Sequence, residues 1–221
     1  MKRSVWLKAD TGNWESKKKR ITAGLEAGVD WVLVNDVDVK AVRELGNIKI
    51  AAFTTNDVQV MGEEGIEDGQ EAADAIIIGK KSEGDGTVEL PEKLSDSIDI
   101  KAVRRGGANG AYIRILSKEH ESLAEEIAKV GEYTLVSGED WKIIPLENLI
   151  ARIGDKTELV AGVNSSEEAR TAFETLEIGA KGVLIDSDDP SEIRSTVGLR
   201  DAVDRETLEL KWATVISVKS T

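Results

Sequence analysis

The chain has 221 residues, enough to bury a full-sized core, and is 40% hydrophobic with only 5 Trp, 2 Tyr and 2 Phe. Its 42 acids against 29 bases leave a net charge of −13, which argues against nucleic acid as a partner, because phosphate binding needs clustered Lys and Arg. Cysteine is absent, which excludes disulfides and thiolate metal sites, and no apolar run approaches the roughly 20 residues that span a bilayer.

The opening "MKRSVWLKAD" is too soon polar for a signal peptide, so the cytoplasm is the expected location. The acidic balance reads as a solvated surface suited to high ionic strength, where salt screens self-repulsion. In chain order, β-branched and aliphatic runs recur at 5–9, 30–34, 48–53, 74–79, 110–116, 133–138, 158–163 and 181–186. Most are continuous rather than alternating, as expected of parallel strands covered on both faces. Helical patterns lie between several of them. Residues 14–28 place Ile21 and Leu25 on one face and end at Gly28, a C-cap candidate. Residues 117–131 follow Ser117 as cap and put Leu123, Ile127 and Val130 together. Residues 165–179 open with a capping box, Ser165 with Glu168.

Eight strands alternating with helices predict an α/β fold, a (β/α)8-like barrel, with an open parallel doubly wound sheet as the alternative. Stretches 55–73 and 81–109 are rich in Gly and Asp and carry no strong helical period, so loops or small extra elements are expected in place of two outer helices. A polar helix near 190–206 precedes "LELKWATVISVKS", a further strand-like run. The expected division is a barrel-like catalytic domain over 1–206, with 207–221 a terminal extra strand leading to a β-rich domain missing from this chain. An apolar edge strand left unpaired invites aggregation.

In such a barrel, chemistry collects where strands end. Those ends carry Lys8, Asp10, Asn35, Asp36, Thr54, Lys80, Ser137, Asp140, Asn164 and Asp186, a polar mouth suited to a small polyhydroxylated or carboxylate substrate. Singly, each is also an ordinary cap or surface charge. Lys8, between Leu7 and Ala9, is either an imine former with a depressed pKa or the partner of Asp10 or Asp36 in a salt bridge. His120 is the one histidine and is expected on the wet face of a Glu-rich helix, so proton transfer falls to carboxylates, lysines or the substrate's amine. "RRGGANGA" (104–111) precedes a strand, and "GEEGIEDG" (62–69) is acidic; neither has the spacing of a dinucleotide fingerprint.

The segment "DWKIIPLENLIA" resembles a signature of the type II 3-dehydroquinate synthases, mainly archaeal enzymes of the shikimate pathway. The resemblance continues in "WESKKKRITAGLEAGVDWVLV", "VRELGNIKIAAF", "VAGVNSSEEARTAFETLEIGAKGVLID" and "WATVISV", in family order across nearly the whole chain. It implies oxidative deamination of 2-amino-3,7-dideoxy-D-threo-hept-6-ulosonate with NAD, then cyclisation to 3-dehydroquinate. In the signature segment, Glu147 and Asn148, with Asp140 and Lys142 beside them, are the expected catalytic residues, and Lys8 is a further candidate. Glu147 equally suits the first turn of a helix begun near Pro145. The family continues into a β-rich region carrying cysteines and a "GDRVC"-like segment, which this chain lacks. Two other readings stay open: an imine-forming barrel aldolase or isomerase using Lys8 or Lys80, and a non-catalytic remnant that associates with a partner.

Overall fold

All eight apolar runs become strands in a computed structural model of the chain, which describes residues 3–54, 73–138, 146–176 and 179–203. They are β1 Ser4–Lys8, β2 Trp31–Asn35, β3 Lys49–Phe53, β4 Ala75–Ile78, β5 Gly110–Arg114, β6 Tyr133–Ser137, β7 Glu158–Val163 and β8 Gly182–Ile185. Each pairs in parallel with the next, and β8 returns to β1 through Ser4↔Gly182 to Leu7↔Ile185. That last ladder closes the barrel and excludes the open sheet.

Continuous apolar strands follow from this closure, because alternate side chains enter two different cores. Val5, Leu7, Val32, Val34, Ile50 and Ala52 pack outward beneath the helices. Trp6, Trp31, Leu33, Phe53, Ile77, Leu135, Val160 and Leu184 fill the interior. Trp6 and Trp31 stack at 4.5 Å between centroids, with Tyr133 edge-on to both at 5.2 and 5.5 Å. Pairs of this kind add about 0.5–1.5 kcal/mol beyond area burial. The barrel interior is therefore a packed plug that leaves no room for a ligand between its strands among the described residues.

The helices are α1 Trp14–Ala27, α2 Val39–Arg43, α3 Ile98–Arg104, α4 Lys118–Ala128, α5 Leu146–Ile153, α6 Ser166–Glu174 and α7 Pro190–Val203. Asn13 caps α1 by accepting from Ser16 N, and Gly28 ends it at φ 83°, a conformation that glycine adopts without strain. The weak stretch 81–109 holds a 3₁₀ turn over Leu94–Asp96 and the short α3, small elements in place of a full outer helix. Ser117 precedes α4, but its hydroxyl donates to Glu119 Oε2 at 2.6 Å instead of accepting from the helix. The Ser165 box forms one residue out of register: Ser165 Oγ accepts from Glu168 N, while the Glu168 carboxylate accepts from Asn164 N at 2.8 Å. The expected strand at 207–221 lies outside the described residues. No described helix is long and apolar enough to cross a membrane.

Candidate active site

The C-terminal ends of the strands gather the charged residues. Lys8 is the last residue of β1, and Asp10 lies two residues on; Asn35 ends β2 and Asp186 follows β8. Lys80 is placed by Gly79, whose φ of 105° and approach to β5 admit no side chain: a Cβ there would sit 2.0 Å from the Tyr112 carbonyl oxygen. α1 lies alongside β1 and contributes Arg20.

Asp10 is the buried centre of this group, its side chain only 4% exposed. Its Oδ2 accepts from Lys80 Nζ at 2.5 Å, and its Oδ1 lies 3.4 Å from Lys8 Nζ. Lys80 also donates to Asn35 Oδ1 at 2.8 Å, reaches the Asp10 carbonyl at 3.5 Å and lies 5.1 Å from the Phe53 ring centroid. Asn35 in turn donates to the Asp10 carbonyl at 2.7 Å. Lys8 donates to Asp186 Oδ2 at 2.8 Å, and Arg20 Nη1 donates to Asp186 Oδ1 and to the Lys8 carbonyl, each at 2.8 Å. Arg20 Nε reaches Asp188 Oδ1 at 2.8 Å. Three cations thus face three carboxylates.

The electrostatics decide the fate of Lys8. Burial would lower its pKa, but the Asp10 charge and the Asp186 hydrogen bond outweigh burial and raise it above the ordinary lysine value. The amine is held charged, which suits a hydrogen-bond donor and opposes a nucleophile. Of the expected salt-bridge partners Asp10 is present, and Asp186 supplies the other contact. Burial likewise would raise the Asp10 pKa, yet the charge of Lys8 and the hydrogen bond from Lys80 hold it below the usual carboxylate range.

Beside Lys8 lies a cavity of about 40 Å³, lined by Lys8, Tyr112, Ser137, Gly162, Asn164 and Asp186. Glu147 and Asn148 lie exposed on the first turn of α5, while Leu146, Leu149, Ile150 and Ile153 turn that helix's apolar face into the core. α5 follows β6, so these two residues stand at the same end of the barrel as Lys8. Asp140 and Lys142 lie outside the described residues. His120 is not on a wet face. It is 9% exposed, its Nδ1 lies 3.1 Å from Ser117 Oγ, and its Nε2 is buried without a partner among the described residues. Burial lowers its pKa against the raising effect of Glu119, which favours the neutral ring.

Arg20 is hidden in the sequence because it closes the run Lys17–Lys18–Lys19–Arg20, which looks like a solvated helix face. Its spacing holds the signal: Lys17, Ile21 and Gly24 are buried, and Arg20 lies on that stripe. Lys17 uses the same geometry to reach Asp38 Oδ2 at 2.8 Å.

The cavity beside Lys8 does not by itself frame a dinucleotide site. It is far smaller than a nicotinamide dinucleotide, and the glycine stretch 104–111 runs into the N-terminal end of β5, away from the mouth.

Comparison with known proteins adds a lineage to this geometry. Residues 2–200 match the family described as 3-dehydroquinate synthase II N-terminal domain. The 3-dehydroquinate synthase of Natronomonas pharaonis is 59% identical over 224 residues, covering 100% of this chain and 57% of that protein. Its counterpart in Halobacterium salinarum is 58% identical over 99% of this chain and 57% of its own length, and that of Methanosarcina mazei is 46% identical over 99% and 56%. The chain therefore spans a little over half the length of these curated relatives. Among solved structures, triosephosphate isomerase from Bartonella henselae superposes with a TM-score of 0.54 at 13% identity, covering 91% of this chain and 100% of that one. At that identity the likeness concerns the barrel alone.

Proposed function

Because the chain belongs to the 3-dehydroquinate synthase II family through its N-terminal domain, we propose that its barrel mouth takes part in converting 2-amino-3,7-dideoxy-D-threo-hept-6-ulosonate to 3-dehydroquinate. The carrying observation is the match over residues 2–200, which contains every residue of the charged mouth. In this reading the C2 carbon loses its hydrogen with an electron pair, water replaces nitrogen, and ammonia leaves. The C7 carbon then loses a proton and bonds to the new C2 ketone, closing a six-membered ring. NAD would supply the acceptor for the electron pair. It enters the proposal through the electron balance and the family resemblance, and the tasks of the protein's residues do not depend on its placement.

Those residues have three tasks. The first is to hold the substrate while keeping charge compensated in a water-poor mouth. Lys8, kept cationic by Asp10 and Asp186, suits a negatively charged oxygen of the substrate. The second is to remove protons from the amine and from C7. Glu147, an exposed carboxylate at the mouth end of α5, is the proposed base, with Asn148 beside it and Asp140 and Lys142 in the preceding segment. The third is to keep the lysines from reacting as amines. The raised pKa of Lys8 does this and removes support from an imine mechanism at that residue.

The test combines the purified chain, NAD and the amino-ulosonate, and follows NADH absorbance together with dehydroquinate. Formation of both products means that this chain contains a working site. Products only from a protein of the relatives' full length mean that the mouth needs the remaining portion. A full-length protein that forms neither product ends the proposal.

A further inference from the structure

Two mouth lysines compete for the role of substrate contact, and their hydrogen bonds separate them. Lys80 has three described acceptors, Asp10 Oδ2, Asn35 Oδ1 and, at 3.5 Å, the Asp10 carbonyl. Lys8 has two described acceptors, Asp186 at 2.8 Å and Asp10 at 3.4 Å, and an ammonium has three donors. Among the described residues, one N–H of Lys8 is thus left over for a guest in the cavity that Lys8 lines.

Asp186 lines the same cavity. Its two oxygens accept from Lys8 and from Arg20, and a carboxylate offers about four lone-pair positions, so acceptor capacity remains. The cavity wall therefore presents a positive donor and a negative acceptor bonded to each other at 2.8 Å. A simple carboxylate would meet Lys8 but also the like charge of Asp186, and a simple amine would meet the reverse conflict. A guest carrying both charges on neighbouring atoms can lie against the pair with each charge facing its opposite.

Size agrees with this. The cavity of about 40 Å³ admits about three water-sized atoms, at on the order of 10–15 Å³ each. That is room for a carboxylate, with an amine at its edge. The space exists because β7 has Gly162 here: a Cβ would lie 3.1 Å from Ser137 Cβ and crowd the floor. Ser137 and Asn164 add neutral polar groups to the wall.

The geometry points to this cavity as a subsite for the 2-aminocarboxylate head group, with Lys8 receiving the carboxylate and Asp186 the ammonium. The assignment deepens the proposed function and rests on it for the identity of the whole substrate, but the head-group chemistry is testable without turnover. Alanine carries both charges, propionate lacks the amine, and ethylamine lacks the carboxylate. Titrating each into the full chain, followed by calorimetry or protein NMR, should show D- or L-alanine binding about tenfold more tightly than either fragment, the factor one added charged hydrogen bond contributes. Asp186→Asn and Lys8→Gln should each bring alanine down to fragment affinity, and a thermal melt of each variant separates lost binding from lost folding. Because Lys8→Gln also leaves Asp10 short of one cation, the decisive variant is Asp186→Asn, which keeps the shape and one acceptor oxygen for Arg20 while its NH2 replaces the oxygen that Lys8 used.

Alanine binding no tighter than propionate overturns the subsite and leaves a cavity for water only. So does an alanine preference that survives Asp186→Asn. A preference abolished by the variant, in a protein that does not turn over the amino-ulosonate, keeps the subsite and removes the reaction. Turnover without any preference removes the subsite and keeps the reaction.

Discussion

Two buried aspartates sit in opposite surroundings, and the contrast is measurable. Asp10 has Lys8 and Lys80 against it, and they outweigh burial to lower its pKa. Asp99 has no described cation against it. Burial, the largest influence, together with the charges of Glu83 and Asp85, outweighs hydrogen bonds from Ser82 and Gly84 and raises its pKa. A lowered folded pKa stabilises the protein above the unfolded carboxylate value, and that contribution is lost as pH falls through the folded value. A raised folded pKa works in reverse: the favourable protonated form is lost as pH rises through it. Asp10→Asn is therefore expected to lose about 1–2 kcal/mol at neutral pH, with the deficit fading in acid below the carboxylate range. Asp99→Asn is expected to be neutral or more stable by about 0.5 kcal/mol at neutral pH, because an amide oxygen still accepts from Ser82 Oγ and Gly84 N. Urea denaturation across pH reads both. A neutral-pH Asp10→Asn protein as stable as the parent would show that the two lysines do not need this carboxylate.

At the scale of elements, capping gives the sharpest expectation. α6 begins after Ser165, whose hydroxyl accepts from Glu168 N at 3.2 Å, while Glu168 serves Asn164 N. Ser165→Ala removes the first bond only, and should cost about 1 kcal/mol and lower the melting temperature by about 2–4 °C. A melt unchanged within error would mean that Glu168 and Glu192, which accept from Asn164 N and Ser166 N, hold this start without the hydroxyl. The same scale shows why the strands are readable in the sequence and some helices are not. A parallel strand covered on both faces must be apolar throughout, so Trp31–Asn35 or Gly182–Ile185 announces itself in five or four letters. α2, with five residues, and α3, with seven, are too short to show a period. The site divides along the same line. Lys8, Asp10, Asn35, Lys80 and Asp186 are legible as strand ends, since barrel topology alone predicts where those ends gather. Which lysine meets which carboxylate is not legible. Lys80 and Asp10 are 70 residues apart, Lys8 and Asp186 are 178 apart, and only closure of the barrel brings them together. His120 departs from expectation for a related reason: its helix position looks exposed until the 81–97 loop is laid over it, within 3.8 Å of where a Cβ on Gly86 would sit.

For the whole molecule, the dominant physical fact is a net charge of −13 in a fold whose mouth is locally balanced. Salt acts on both features with opposite signs. Screening weakens attractive pairs such as Lys8–Asp186 and Arg20–Asp186, and it also weakens repulsion among the surplus carboxylates. Burial decides which effect wins. Lys8, Asp10 and Arg20 have side chains 15%, 4% and 12% exposed against 36% for Asp186, so the Lys8–Asp10 pair is screened least and the two Asp186 pairs are each sheltered on the cation's side. Exposed pairs such as Arg170–Glu174 contribute about 0–1 kcal/mol at most, so losing them matters little. Relief of repulsion should therefore outweigh the loss of attraction. Between about 0.1 M and 1 M KCl the screening length falls from about 10 Å to about 3 Å, and the melting temperature should rise by about 5 °C before levelling. A melting temperature that falls with salt would reverse the ranking: ion pairs such as those at the mouth would then hold this barrel together more strongly than its surplus charge pushes it apart.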